Sequence, residues 1–265
     1  MATGCLGTAA RHDEKTPQLI EKVIVLSLND ATQRRAPLIA SLKRLNIDFT
    51  LWPAVDGRAG LSDADAQRID RARAQGRMGR AMSDAEFACA LSHRDIYSAI
   101  LRHGWAHTLI LEDDAILTPG FGAFVQNVAQ DDYDLLLLDH WRTRVHTRDD
   151  RPINPAHRAI RVAGSPMLTT GYVVSLEGAR ALAAASTPVT ATADWPCDLS
   201  ELRAYAVTPR LVDHPDMATG TSDIRPQRQA LKETPPRWKR RHPKRFLDPE
   251  YWKRAYYKRF WKWIS

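Results

Sequence analysis

The chain has no run approaching the roughly 20 apolar residues that a membrane-spanning helix needs. That argues against an integral helical membrane protein. Its opening residues, Met1 to Asp13, lack a basic start followed by an apolar stretch, so no secretory signal is expected there. Cysteine is scarce: Cys5, Cys89 and Cys197 are odd in number and far apart. A disulfide framework is therefore not expected, and no Cys-x-x-Cys pair offers a metal clamp. Buried or incidental thiols in a reducing compartment fit better. No internal repeat is visible. The body of the chain also lacks an excess of one charge. Of the formal +7, residues 237–265 supply eleven Lys or Arg against Asp248 and Glu250, leaving 27 basic and 29 acidic groups in residues 1–236. An enzyme of nucleic acids more often carries its positive charge on the body, so no nucleic-acid partner is expected.

What is present reads as a globular α/β chain. A length of 265 residues with 44% hydrophobic content is enough for one large core. Residues 1–20 are polar and irregular, and are expected to be flexible. Val23 to Leu28 is a β-branched apolar run ending in Asn29 and Asp30. Leu38, Ile39, Leu42 and Leu45 then share a helical face, and Ile47 to Trp52 alternates like a strand. Such a strand–helix–strand opening is a βαβ unit of a parallel sheet. Residues 58–80 read as a polar helix and a loop around Gly76 and Gly79. Ser83 and Glu86 have capping-box spacing for a helix that stops at Gly104. Thr108–Leu111, Tyr133–Asp139, Gly171–Ser175, Ala204–Val207 and Leu211–Val212 read as further strands. Pro119–Gly120 starts a turn and helix, Glu177–Ala185 is another helix, and residues 140–160 read as a loop. The predicted architecture is one α/β domain over residues 21–227 with a mostly parallel central sheet, followed by a separate tail over 228–265.

In such sheets ligands bind outside the carboxyl ends of the strands. Asn29–Asp30 and Glu112–Asp113–Asp114 both fall at predicted carboxyl ends, so they can share a site although far apart in sequence. Three consecutive carboxylates after Leu109–Ile110–Leu111 repel one another and need a cation or donors nearby. A Mg²⁺ or Mn²⁺ ion held against a diphosphate is one solution. An exposed acidic turn that caps the next helix is the other. On these residues alone both stand.

The ordered set of motifs resembles glycosyltransferase family 25. Ser83 to His93, followed by Leu109 to Asp114, carries the likeness. Val25–Leu28 with Arg34 or Arg35, Ala54–Val55–Asp56–Gly57, Gly171 to Ser175 with Gly178–Ala179, Ala193–Asp194–Trp195 and Ser222–Asp223–Ile224 follow in the expected order. The match covers about residues 22–226. Ala85 and Ala88 stand where that family usually has glycine, and Gly171 where alanine is common. No motif is very specific alone; the order is.

The resemblance implies a GT-A-like nucleotide-binding fold and transfer of a hexose, galactose from its uridine diphosphate, to a lipopolysaccharide-type or other cell-surface glycan, with inversion. It places Asp114 on a divalent metal (Mn²⁺ or Mg²⁺), Asp113 in support and Glu112 toward the ribose or that supporting shell. His214 is a further candidate metal ligand; an ordinary loop histidine is the alternative. Leu28, Asn29 and Arg34 or Arg35 are expected to line the nucleotide pocket, with Asp56 accepting hydrogen bonds from the nucleotide. The arginines could equally be solvated helix charges. Ser92 and His93 lie on the helix beside the site, with Glu86 on the same face as His93. Asp194 is the candidate general base for the acceptor hydroxyl, and Trp195 could stack on a sugar; a surface Asp beside a core Trp is the alternative. Two rivals from other classes are a non-catalytic glycan- or membrane-binding protein that keeps the fold, and a metal-dependent phosphoesterase.

In the tail, a helical repeat would put Trp252, Tyr256, Tyr257, Phe260, Trp261, Trp263 and Ile264 on one half, and Arg254, Lys258, Arg259 and Lys262 on the other. Aromatic and basic halves describe a helix in a membrane interface. The expectation is a cytoplasmic enzyme, peripheral on the inner face of the membrane, with a glycolipid acceptor. Docking of the aromatics back on the protein, or a single-stranded nucleic-acid tail, are the alternatives.

Overall fold

The computed structural model describes residues 20–128, 132–215, 227, 252 and 261–264. Strand β1 (Lys22–Ser27) runs through helix α1 (Thr32–Arg44) to β2 (Thr50–Pro53). β2 lies parallel to β1, with Ile24 beside Thr50. This is the βαβ unit predicted from the apolar, amphipathic and alternating runs. Two short polar helices, α2 (Asp63–Ala66) and α3 (Arg71–Met78), precede α4 (Asp84–His103). The Ser83–Glu86 capping box is formed in both directions, and α4 ends at Gly104, whose φ of 71° suits a residue without Cβ.

Strand β3 (His107–Glu112) follows, then β4 (Ile116–Leu117), α5 (Phe121–Asn127), β5 (Leu135–Leu137), β6 (Thr143–Asn154), β7 (His157–Val162), β8 (Gly171–Ser175), α6 (Leu176–Ala185), β9 (Ala204–Thr208), β10 (Val212–Asp213) and β11 (Trp261–Ile264). Nine strands form one sheet in the order β11-β6-β7-β9-β5-β8-β3-β1-β2, and β10 pairs with β4 beside it. The sheet is mixed. β2, β1 and β3 are parallel, as are β5 and β9. β8 enters antiparallel between β3 and β5, and β7, β6 and β11 extend the sheet antiparallel. The expected parallel character thus holds chiefly for the N-terminal half. The mixed α/β architecture fits a GT-A-like fold.

Strand alternation sorts the core onto two faces. Val23, Val25, Leu109 and Leu111 pack with Leu38 and Leu42 of α1 and Phe121 and Phe124 of α5. Ile24, Leu26 and Ile110 pack on the other face with Ile96, Tyr97 and Ile100 of α4 and Ala179 and Leu182 of α6. Each fully buried side chain of this size contributes roughly 2 kcal/mol.

Two expectations change. Residues 140–160 are not a loop: β6 and β7 form a hairpin there. Arg148, Asp150, Arg151 and Arg158 are exposed, with Arg158 paired to Asp150 and Arg151 to the half-buried Asp149. Over Trp261–Ile264 the expected helix is instead a strand, set antiparallel on β6 with Trp263 beside Arg144. These tryptophans dock on the protein because an open sheet edge offers them backbone partners and a cationic surface. The expectations for the rest of the tail, and for Ser222–Ile224, fall outside the described residues.

Candidate functional site

Parallel pairing brings the carboxyl ends of β1 and β3 to one edge of the sheet, in a register that sets Leu26 beside Glu112. Ser27 therefore faces Asp113, and its Oγ donates to Asp113 Oδ2 at 2.8 Å. Arg34, on the first turns of α1, completes the neutralisation: its Nη2 lies 2.6 Å from Asp113 Oδ1. Asp113 is buried and fully committed to these partners. Arg35 donates to Ser27 Oγ at 3.2 Å and to the Leu28 and Asn29 carbonyls, fixing the β1–α1 turn. Of the two candidate arginines, Arg34 lines the cavity described below and Arg35 holds the backbone.

Glu112 accepts from Thr169 Oγ1 at 2.6 Å and contacts His93 Nε2 at 3.2 Å. Burial opposes its charge, but His93, Thr169 and Arg34 outweigh burial and hold the carboxyl below its ordinary value. His93 Nδ1 meets the Tyr172 hydroxyl at 2.8 Å, and that hydroxyl meets Tyr97 at 2.9 Å. A neutral His93 satisfies the whole chain when Nε2–H donates to Glu112 and Nδ1 accepts from Tyr172. Both ring nitrogens are then occupied. Cys89, His93 and Glu112 lie close enough together to bracket an ion. However, burial and the nearby carboxylates push the Cys89 thiol well up, which keeps it protonated and a poor ligand.

Asp114 differs from its neighbours. Among the described residues it has no basic side chain within ion-pair distance, and burial, with the charge of Glu112, pushes it up to about 6. An uncompensated carboxylate beside two others at a strand end is what a divalent cation would relieve, and all-oxygen donors suit Mg²⁺ or Mn²⁺. Of the three carboxylates, Asp114 is the one whose chemistry fits such an ion, since Asp113 and Glu112 are held by Ser27, Arg34, Thr169 and His93.

These groups line one cavity of about 140 Å³, together with Leu28, Ala54, Val55, Asp56, Gly57, Arg58, Cys89 and Ser92. Ser92 Oγ accepts from Val55 N at 2.9 Å and donates to the Ala88 carbonyl at 2.7 Å, pinning the Ala54–Gly57 turn to α4. Gly57 is required there: a Cβ would come within 2.5 Å of the Asp84 carbonyl and 2.7 Å of Ala88 Cβ. Asp56 is held below its ordinary value by hydrogen bonds from Arg58, which also pairs with Asp30 at 2.9 Å. The cavity is smaller than the roughly 300 Å³ at which ligand pockets usually begin.

The remaining candidates lie outside this cavity's lining. Asn29 is exposed at its edge, offering its carbonyl to Arg35. His93 sits behind Glu112. Asp194 is exposed, accepts from Leu168 N at 3.1 Å, and acts electrostatically on Cys89 together with Glu112 and Asp114. His214 contacts Asp139 Oδ2 at 3.0 Å, within a cluster that includes Asp213. Burial pushes the Asp139 carboxyl up, against His214, Thr170 and Arg210. Glu86 closes the α4 capping box and pairs with Arg80. Arg58, Thr169, Tyr97 and Tyr172 were not singled out from sequence as site residues. Only the Tyr within the Gly171–Ser175 run carried a signal, because its polar end needed a partner inside an apolar strand.

A family model described as "Glycosyltransferase family 25 (LPS biosynthesis protein)" matches residues 20–198, which hold every element of this cavity. The chain belongs to glycosyltransferase family 25. It is 30% identical over 172 residues to a glycosyltransferase 25 family member of Anopheles gambiae, covering 62% of this chain and 28% of that one. It is 28% identical over 172 residues to procollagen galactosyltransferase 1 of Danio rerio, covering 61% and 28%. It is 28% identical over 191 residues to the inactive glycosyltransferase 25 family member 3 of Mus musculus, covering 66% and 32%. The chain thus spans about a third or less of the length of these family 25 relatives.

Proposed function

We propose that this family 25 chain transfers a hexose, galactose from uridine diphosphate-galactose, to a glycan acceptor of the lipopolysaccharide type, with inversion at the anomeric carbon. The observation that carries this reading is the convergence of Arg34, Asp56 and Glu112–Asp114 on one cavity at the carboxyl ends of parallel β1 and β3. Asp56 and the Leu28–Asn29 turn would meet the nucleoside. Asp114 would hold Mn²⁺ or Mg²⁺, which neutralises charge on the departing diphosphate. Asp113, locked by Ser27 and Arg34, stiffens the turn that presents Asp114. Glu112, locked by His93 and Thr169, stiffens it from the other side.

Asp194 is the proposed base. Its carboxylate takes the proton from the acceptor hydroxyl as that oxygen bonds to the anomeric carbon, while the bond from that carbon to the diphosphate oxygen breaks and uridine diphosphate leaves. The exposure of Asp194 and its influence at Cys89, a residue of the donor cavity, support placing it at the cavity's border. The basic and aromatic residues of 237–260 support a place on the inner face of a membrane, which cosedimentation with anionic vesicles tests.

Calorimetric titration of uridine diphosphate, with and without Mn²⁺, tests the donor site on wild type and Asp114→Ala. Metal-dependent binding lost in Asp114→Ala is the expected result. No binding by folded wild type in either condition overturns the donor assignment. The inactive mouse relative favours a second reading, a fold that binds without transferring. Uridine diphosphate binding with no turnover of any donor would support it.

A further inference from the structure

A second cavity is larger than the donor cavity. It measures about 820 Å³ and lies between the β6–β11 edge and the loop after Asp194. Its size falls within the roughly 300–1,000 Å³ range of ligand sites. Arg142, Arg144, Trp195, Trp261 and Trp263 form its wall. In the β6–β11 pairing Trp263 lies opposite Arg144 and Trp261 opposite His146. Alternation puts both tryptophans on one face with Arg144. The Arg144 guanidinium sits 4.6 Å from the Trp263 ring centroid and 5.6 Å from that of Trp261.

Among the described residues, neither Arg142 nor Arg144 meets a carboxylate within ion-pair distance. Asp198 and Glu201 also line the cavity, but Asp198 is turned to the backbone N and hydroxyl of Ser200. His146 is held below its ordinary value by burial and by Arg161, so the positive charge here belongs to the arginines. Backbone strain gathers at the same place. Of the four non-glycine residues with positive φ among the described residues, Arg142 (48°) and Trp195 (88°) line the cavity, and Leu168 (85°) donates to Asp194. Strained residues of this kind persist where a ligand surface is being held. Trp195 is buried, and its indole N–H finds no acceptor among the described residues.

Resting on the transferase reading above, we propose that this cavity is the acceptor site and that the acceptor is an anionic sugar, carrying a carboxylate or a phosphate. Arg142 and Arg144 receive the anionic group, and the tryptophans cover the apolar faces of the sugar rings. Contacts link the two cavities: Trp195, next to Asp194 in the chain, lines the larger one and packs edge-on against Tyr172, whose hydroxyl meets His93 behind Glu112 of the donor cavity. A hydroxyl of a sugar held here is thereby presented to the proposed base.

The test is calorimetry of trigalacturonate, mannose 6-phosphate and neutral maltotriose against the full chain with uridine diphosphate and Mn²⁺ present. The probes are repeated on Arg142→Gln, an exposed position whose folding is checked by thermal melting, and on Arg144→Gln. Binding of trigalacturonate or mannose 6-phosphate, weakened about tenfold or more by Arg142→Gln, is the expected result. Which of the two binds identifies the carboxylate or the phosphate. Maltotriose binding as tightly as both, no binding by either charged probe, or charged binding that Arg142→Gln leaves unchanged would overturn the proposal. Uridine diphosphate binding is titrated separately. If it persists while the charged probes fail, the acceptor inference alone falls. If it fails while they bind, the transferase reading falls and an anionic-sugar site remains.

Discussion

Arg34 and Asp113 form an ion pair at 2.6 Å in which the carboxylate side chain is 1% exposed and the guanidinium 29%. Removing the arginine strands a buried charge, which costs far more than the pair itself contributes. Arg34→Ala is expected to lower stability by roughly 3 kcal/mol, measured by urea denaturation at neutral pH. Arg34→Ala combined with Asp113→Asn should recover a large part of that loss. An unchanged midpoint in Arg34→Ala would show that Asp113 is satisfied without it.

Asp114 lies in the opposite situation, raised to about 6 by burial and Glu112. A carboxyl whose folded pKa lies above its unfolded value stabilises the fold below the unfolded value, and that stability is lost as pH rises through the folded one. In a chelator, stability should therefore decline between about pH 4 and pH 6, by on the order of 2 kcal/mol after discounting for partial exposure. Asp114→Asn should remove this decline and melt higher than wild type at pH 7. Mn²⁺ should raise the melting temperature of wild type and leave that of Asp114→Asn in place. Equal metal-induced shifts in the two proteins would move the metal away from Asp114.

Asp194→Asn keeps an oxygen for the Leu168 N–H and loses the base. Transfer is expected to fall about 10²- to 10⁴-fold, with uridine diphosphate affinity unchanged. A radiolabelled-donor assay and a binding titration on the same preparation separate the two effects. Loss of nucleotide binding would instead make Asp194 part of the donor site.

His140 is buried, and its Nε2 donates to the Val207 carbonyl at 2.8 Å. Burial pushes it down to about 4. A histidine kept neutral in the fold contributes stability that is complete above its unfolded value and is lost as pH falls toward the folded one. Stability should therefore drop between about pH 6.5 and pH 4, by roughly 3 kcal/mol. His140→Gln should flatten that segment of the pH profile. A wild-type profile without a decline there would contradict the burial of a neutral ring.

The N-terminal half was legible because its signals are local. The Val23–Leu28 run, the Ser83–Glu86 cap and the Leu109–Leu111 run each carry their own period or punctuation, and the acidic turn follows from where β3 stops. The β6–β7 hairpin was not legible: its register slips at Val145–Asp150 and Pro152–Asn154 break the alternation that would mark a strand. β11 was hidden by a sequence that satisfies a helical period equally well, and an open strand edge more than a hundred residues away in the chain decides between them. Arg58 and Thr169 act only through partners brought close by the fold, so no spacing announces them. Leu28, Arg34, Asp56 and Ser92 emerged from the order of motifs, and the structure gathers them round one cavity.

Among the described residues β11 is bonded to β6 alone, at the outer edge of the sheet, and β6 reaches β3 only through the four strands β7, β9, β5 and β8, with β1 one strand further. The β6–β11 wall of the larger cavity therefore stands at the far end of the sheet from β1 and β3, while its Trp195 wall reaches back toward the acidic turn through Tyr172. Side chains of Trp261 and Trp263 can be exchanged without touching the pairing that positions Glu112–Asp114. What is given and what receives it become separately adjustable, and a library confined to the edge strand can retune one while the other stays fixed.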